Sequence, residues 1–344
     1  LPRTKRLSRI HRELISEKMM LVRTCLLAVI LASVVNAALG AGLRRSDVPA
    51  GTEGPAIQVL VWYPCADTPK QIVLGPFSLP AVANCPLNAH ELPLIVISHG
   101  RAGSFLAHHD TAEALAENGF IVAALNHPGD TAEDLSQTND LSVWIERPKE
   151  VRRVIDFLIH TSAFAATIDS NRIGFFGFSR GGYTGLALLG GDADWVIGTT
   201  FCQEHPLYQL CRRVLSNDVP AEPLAHDPRI KAAALADPPA PFFSSRSLAS
   251  INVPVQLWAS EFGGDGVVLQ DVSAVHQKLG SQQDYRIVPN AGHFAFFAPC
   301  TAELSAQASE ICADAAGFDR PAFHKQLDAS IVDFFRTTLS RSAK

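Results

Sequence analysis

Strict alternation of polar and apolar residues is scarce along this chain, and continuous apolar runs take its place. Residues 94–98 read LIVIS and 120–125 read FIVAAL, as strands buried on both faces do. Shorter runs at 57–63, 172–176, 231–236, 253–259 and 285–288 predict further strands. Between them the apolar spacing turns helical. Val151, Val154, Ile155 and Leu158 form a stripe within 148–160, and helices are predicted over 110–118, 180–189, 272–279 and 322–339. Strands separated by helices predict an α/β fold, with a mostly parallel central sheet covered by helices on both faces. Residues 191–227 break the rhythm. Trp195, Phe201, Tyr208 and two cysteines there read as a small cap insertion; the plainer alternative is a surface excursion with no part in a site.

The first 37 residues follow different rules. From Thr24 to Leu43 no residue is charged, Arg23 stands before the stretch, and Arg44-Arg45 follow it. The apolar heart at 25–35 has the length of a secretory h-region, and Val35-Asn36-Ala37 offers small residues for cleavage. Residues 1–37 are therefore expected to be an N-terminal extension and cleaved signal peptide, with Met19 or Met20 as a natural start. An uncleaved anchor is the competing reading. No other uncharged run is long enough to span a bilayer, so the mature chain is expected to have no stable membrane span. Residues 38–344 then form one α/β domain, secreted or periplasmic.

Charge and cysteines agree with export. Residues 1–37 carry seven of the 29 basic and two of the 34 acidic residues, a net +5; the body holds 22 against 32, a net −10. An acidic body offers no electrostatic footprint for nucleic acid. At 47% hydrophobic and 18% charged the composition is globular, which excludes fibrous and wholly disordered classes. Cys25 lies in the signal and six cysteines remain, an even number that reads as disulfides in an exported chain. Proximity suggests the pairs Cys65–Cys85, Cys202–Cys211 and Cys300–Cys312. No C-x-x-C or paired Cys/His spacing signals a metal, and His108-His109 lacks a metal-type partner.

Chemistry concentrates at Gly177-Phe178-Ser179-Arg180-Gly181-Gly182. A G-x-S-x-G between an apolar strand and a helix is a nucleophile elbow, which projects the serine oxygen from the sheet on a strained turn. Glycines two residues before and after the serine prevent collision with neighbouring backbone. His99-Gly100-Arg101 follows the LIVIS run, where a loop can donate an oxyanion N–H; Arg101 N–H and Arg180 N–H are the candidate donors. His293, in Asn290-Ala291-Gly292-His293-Phe294 after the last predicted strand, is the candidate general base. No dinucleotide fingerprint, P-loop or metal cluster calls for a cofactor.

These residues, with Asn126-His127-Pro128-Gly129, Trp144, Glu146-Arg147-Pro148 and Pro299-Cys300, resemble those of the α/β-hydrolases. Within them the chain is similar to exported bacterial dienelactone hydrolase-like proteins and to platelet-activating-factor acetylhydrolases. The resemblance spans about residues 59–335. Dienelactone hydrolases use a cysteine nucleophile where Ser179 stands, so their substrate is not implied. The acetylhydrolase likeness implies a serine esterase acting on short acyl chains. The acid of such a site usually follows the strand before the last, which favours Asp265. The acetylhydrolases carry a variant one strand earlier, which makes Asp237 the alternative; Glu261 is a third candidate. The expected activity is hydrolysis of a small-molecule ester or lipid through Ser179, His293 and Asp265. The alternatives are a lipase or phospholipid deacylase whose cap at 195–214 receives an acyl chain, and a catalytically silent hydrolase fold used for binding.

Overall fold

The computed structural model of the protein describes residues 40–340 except 88, 205, 208, 222, 281 and 282; the expected signal peptide lies outside the described residues. Four strands come first: β1 (Gly40–Arg45), β2 (Val59–Cys65), β3 (Lys70–Leu74) and β4 (Phe77–Ala83). Strands and helices then alternate through β5 (Leu92–Ser98), α1 (His109–Glu117), β6 (Ile121–Leu125), α2 (Ser142–His160), β7 (Ile168–Phe178) and α3 (Arg180–Leu188). Two short helices, α4 (Trp195–Glu204) and α5 (Gln209–Leu215), precede β8 (Ile230–Ala236) and β9 (Val255–Ser260). The longer elements of the last part are α6 (Leu269–Lys278), β10 (Gln283–Val288) and the closing α7 (Arg320–Thr338).

All ten strands form one sheet in the order β10-β9-β8-β7-β5-β6-β2-β1-β4-β3. From β5 to β10 every pairing is parallel, and β2 runs antiparallel between β6 and β1. The strand order reverses between β5 and β7, which pair Ser98 with Gly177 at their C-terminal ends. A parallel α/β sheet opens its ligand crevice at such a switch point. The loops after β5 and β7 therefore start side by side. Successive residues of the central strands feed opposite cores: Phe175 packs with Tyr183 and Leu235 on one face, Phe176 with Trp258 and Phe335 on the other. Both faces are covered, as the continuous apolar runs require.

β1, β3 and β4 are additions to the expected pattern. Pro80 inside β4 reads as a strand breaker; it is tolerated because β4 pairs with β1 only at Val82 and Ala83. Helix α2 begins six residues before the expected start at 148. Pro148 lacks the amide that would bond back to Trp144, and so mimics a helix start within a helix already under way. Three disulfides join Cys65–Cys85, Cys202–Cys211 and Cys300–Cys312, the expected pairs. Among the described residues no helix is long and apolar enough to cross a membrane.

Candidate active site

Ser179 sits between β7 and α3 with φ 53° and ψ −121°, a backbone state that L residues rarely adopt. Its amide donates to Ala236 O at 2.8 Å, and its carbonyl accepts from Tyr183 N at 3.1 Å. The glycines are forced. A Cβ on Gly177 would lie 2.2 Å from Gly181 O, and one on Gly181 would lie 2.0 Å from Ser98 O. The elbow thus presses against the end of β5: a side chain at 181 would push the two apart, and one at 177 would force the turn itself open.

His293 opens a 3-10 turn after β10, and its amide donates to Gly263 O at 2.7 Å. The ring tilts against Phe178, the residue before Ser179, with centroids 4.7 Å apart. Its Nδ1 lies 2.9 Å from Asp237 Oδ2. Asp237 follows β8 directly, in a left-handed conformation with φ 44°. Ser260 anchors its carboxylate twice: the amide donates to Oδ1 at 2.8 Å and Oγ to Oδ2 at 2.5 Å. With Nδ1 facing a carboxylate, the imidazole carries its proton there and leaves Nε2 as a lone pair. Nε2 is buried and has no hydrogen-bond partner among the described residues.

His293 faces the alternative acid and not the expected one. Asp265 is exposed and does not meet His293. Gly264 and Val267 exchange amide–carbonyl hydrogen bonds of 2.8 and 2.9 Å, closing a tight turn that carries Asp265 out to the cavity rim. Glu261 is engaged elsewhere, accepting from Asn290 N at 2.7 Å and capping the turn before His293. The loop after β9 supports the histidine through backbone, while the carboxylate comes from the loop after β8.

Arg101 lies in the Gly100–Gly103 turn beyond β5, and Arg180 is the first residue of α3. Neither backbone amide has an acceptor among the described residues; a first-turn helix amide has none within its helix. Burial, and then the charge of Arg147, push the neighbouring His99 down to about 3, so it is neutral. His108 is packed among Phe176, Phe178 and Phe297; burial holds it at about 3 as well.

Ser179 opens into a cavity of about 730 Å³. Phe201, Leu207 and Leu210 wall it on the side of α4 and α5, which Cys202–Cys211 staples together. Pro239, Val267 and Val275 add further apolar lining. The sequence motifs do not single out Asp130 or Arg147. Both are buried beneath the Gly100–Gly103 turn. One signal was available: Arg147 falls on the buried stripe of α2 with Val143, Trp144, Val151 and Val154, where a charge needs a reason.

The family model for platelet-activating factor acetylhydrolase, isoform II, matches residues 62–142, from β2 to the start of α2. No curated protein matches the sequence. Among solved structures, a ferulic acid esterase from Streptomyces cinnamoneus is similar, with 18% identity and a TM-score of 0.61 over 91% of this chain and 96% of that one. A dienelactone hydrolase from Anabaena variabilis is similar at 14% identity and a TM-score of 0.50, over 87% of this chain and 99% of that one. Together with the sheet order and the elbow at Ser179, these likenesses show that the chain has the fold of the α/β-hydrolases.

Proposed function

We propose that the protein is a carboxylic ester hydrolase in which Ser179 is the nucleophile, His293 the general base and Asp237 the acid. The observation that carries this reading is the buried Asp237–His293 pair, which leaves Nε2 unpaired on a ring packed against Phe178, the residue before the strained elbow serine. Ser179 Oγ attacks the ester carbonyl while His293 Nε2 takes its proton. The same nitrogen returns the proton to the leaving alcohol, and water then repeats the sequence on the acyl-enzyme. Asp237 holds the imidazole in the tautomer that accepts at Nε2 and stabilises the imidazolium. The Arg101 and Arg180 amides receive the oxyanion, worth roughly 3 kcal/mol for each donor. The family match over 62–142 and the esterase among the structural neighbours support the class of reaction. A fluorophosphonate probe should label wild type at Ser179 and leave Ser179→Ala unlabelled and inactive on nitrophenyl esters. Full activity in Ser179→Ala would refute the mechanism, and an unreactive wild type would point to a silent binding fold.

A second reading, deacylation of lipids, rests on the cavity wall. Phe201, Leu207 and Leu210 offer an acyl chain apolar surface beside the nucleophile. A series of nitrophenyl esters from acetyl to decanoyl tests it: kcat/KM rising with chain length favours an acyl chain in this cavity, and a maximum at acetyl excludes one. The three disulfides suit an oxidising compartment and support export.

A further inference from the structure

We propose that Asp130 and Arg147 are positioning residues that set the direction of both oxyanion donors through one buried clamp. The inference rests on the ester-hydrolase reading above. The Arg101 N–H belongs to the same peptide unit as Gly100 C=O. Among the described residues every peptide is trans, and a trans unit is planar, so whatever fixes Gly100 O aims the Arg101 N–H the opposite way. Three donors hold that oxygen: Arg147 Nη2 at 3.1 Å, His99 Nδ1 at 2.7 Å and, closing the turn, Gly103 N at 3.4 Å. Arg147 Nη1 also donates to His99 O at 2.6 Å. On the other side of Arg101, Ala102 N donates to Asp130 Oδ1 at 3.1 Å. Both peptide planes flanking Arg101 are therefore tied down.

The same carboxylate reaches the other donor. Asp130 Oδ2 accepts from Arg147 Nη2 at 2.7 Å and from Arg180 Nη1 at 2.6 Å. The Arg180 guanidinium also donates to Thr138 O at 2.8 Å and lies over the Trp144 ring, 4.9 Å from its centroid. One side chain thus joins the loop after β5 to the helix after β7. Asp130 and Arg147 are essentially inaccessible to solvent. Buried charges of this kind add little stability over apolar packing, whereas a forked guanidinium adds direction. Burial alone would raise the Asp130 carboxyl, but Arg147 and Arg180 overcome that and hold it at about 2. The clamp therefore stays charged at any ordinary assay pH. Neutral His99 fits the scheme: with its proton on Nδ1 it donates to Gly100 O, and its Nε2 accepts from His127 N at 3.3 Å.

Arg153 supplies an internal control. It lies on the same helix and is buried, and its Nη2 donates to the carbonyls of Pro49, Gly54 and Pro55, away from the site. The test compares Arg147→Lys, Asp130→Asn and Arg153→Lys in the oxidised mature chain. It reads kcat and KM on p-nitrophenyl acetate, the Ki of a trifluoromethyl ketone that adds to serine as a tetrahedral oxyanion, and Tm. Arg147→Lys and Asp130→Asn should each lower kcat about 30-fold, a fraction of the loss from deleting a donor outright. Ki should rise by a similar factor while KM stays within about threefold. Arg153→Lys should lower Tm and leave kcat and Ki unchanged. Folded variants with kcat and Ki within threefold of an active wild type would overturn the clamp and leave the hydrolase reading intact. So would failure of both clamp variants to fold, since the role would then be structural. A wild type that neither turns over the ester nor binds the ketone would refute the hydrolase reading, and the clamp with it.

Discussion

Asp237 and His293 stand 56 residues apart in sequence, yet Oδ2 of one lies 2.9 Å from Nδ1 of the other, and each side chain is 1% exposed. Asparagine at position 237 would offer Nδ1 an amide in place of a carboxylate and favour the wrong tautomer. Asp237→Asn is expected to lower kcat about 10⁴-fold near neutral pH. Asp265→Asn, on the exposed cavity rim, is expected to cost about tenfold or less. Steady-state rates of the two folded variants decide the matter, and the larger loss at Asp265 would reverse the assignment.

This choice marks where sequence stops being informative. The elbow was legible because its glycines sit at fixed offsets from the serine, one forced by the turn itself, 2.2 Å from Gly181 O, and the other by the end of β5, 2.0 Å from Ser98 O. The parallel core was legible because strands buried on both faces read as unbroken apolar runs. The acid was not. Asp237 and Asp265 both follow strands, and only the turn closed by Gly264 and Val267 sends one of them outward. That turn depends on positive φ at its two central residues, Asp265 and Gly266, which an Asp-Gly pair permits but does not announce. Arg147 stands in a quoted motif and Asp130 directly after another, yet their joint hold on one peptide plane exists only once β5 and β7 lie side by side.

The conformation of Ser179 has a measurable cost. At φ 53° and ψ −121° a side chain is strained, and glycine is not. Ser179→Gly should raise the unfolding free energy by about 1 kcal/mol while abolishing turnover, after allowing for glycine's greater freedom in the unfolded chain. Ser179→Ala keeps the strained Cβ and should gain much less. Equal stabilisation by the two substitutions, read from chemical denaturation, would show that the backbone is not the source.

The disulfides should differ in accessibility. Cys65, Cys85, Cys202 and Cys211 are buried, whereas Cys300 and Cys312 are partly exposed. Mild reduction of the native protein should release Cys300 and Cys312 first, as read by alkylation and peptide mass spectrometry. That bridge closes a separation of 12 residues, and its loss is expected to cost about 3 kcal/mol by the chain-entropy model. Early labelling of Cys202 or Cys211 would mean that the α4–α5 region opens before the loop beyond His293 does.

A second serine–histidine–carboxyl chain lies beneath the site and gives the last prediction. Ser98 Oγ is 2.8 Å from His127 Nε2, and His127 Nδ1 is 2.6 Å from Glu150 Oε2. Burial raises Glu150 to about 7 and pushes His127 well below its ordinary value. The pair is therefore neutral in mildly acidic solution. Protonated Glu150 donates to Nδ1, and the Nε2 proton goes to Ser98. The unfolded glutamate ionises near its ordinary value of 4.5. The stability it contributes is complete below that pH and is lost as pH rises through about 7, up to roughly 3 kcal/mol. Glutamine keeps a donor toward Nδ1 and does not titrate. The stability of wild type minus that of Glu150→Gln should therefore fall steadily between pH 5 and pH 7.5, and the glutamine variant should be the more stable above that range. An imidazolium–carboxylate pair would behave oppositely, because its depressed carboxyl would add stability as pH rises past 4.5. A difference that grows with pH across this window, in denaturation curves of the two proteins, would establish the charged pair instead.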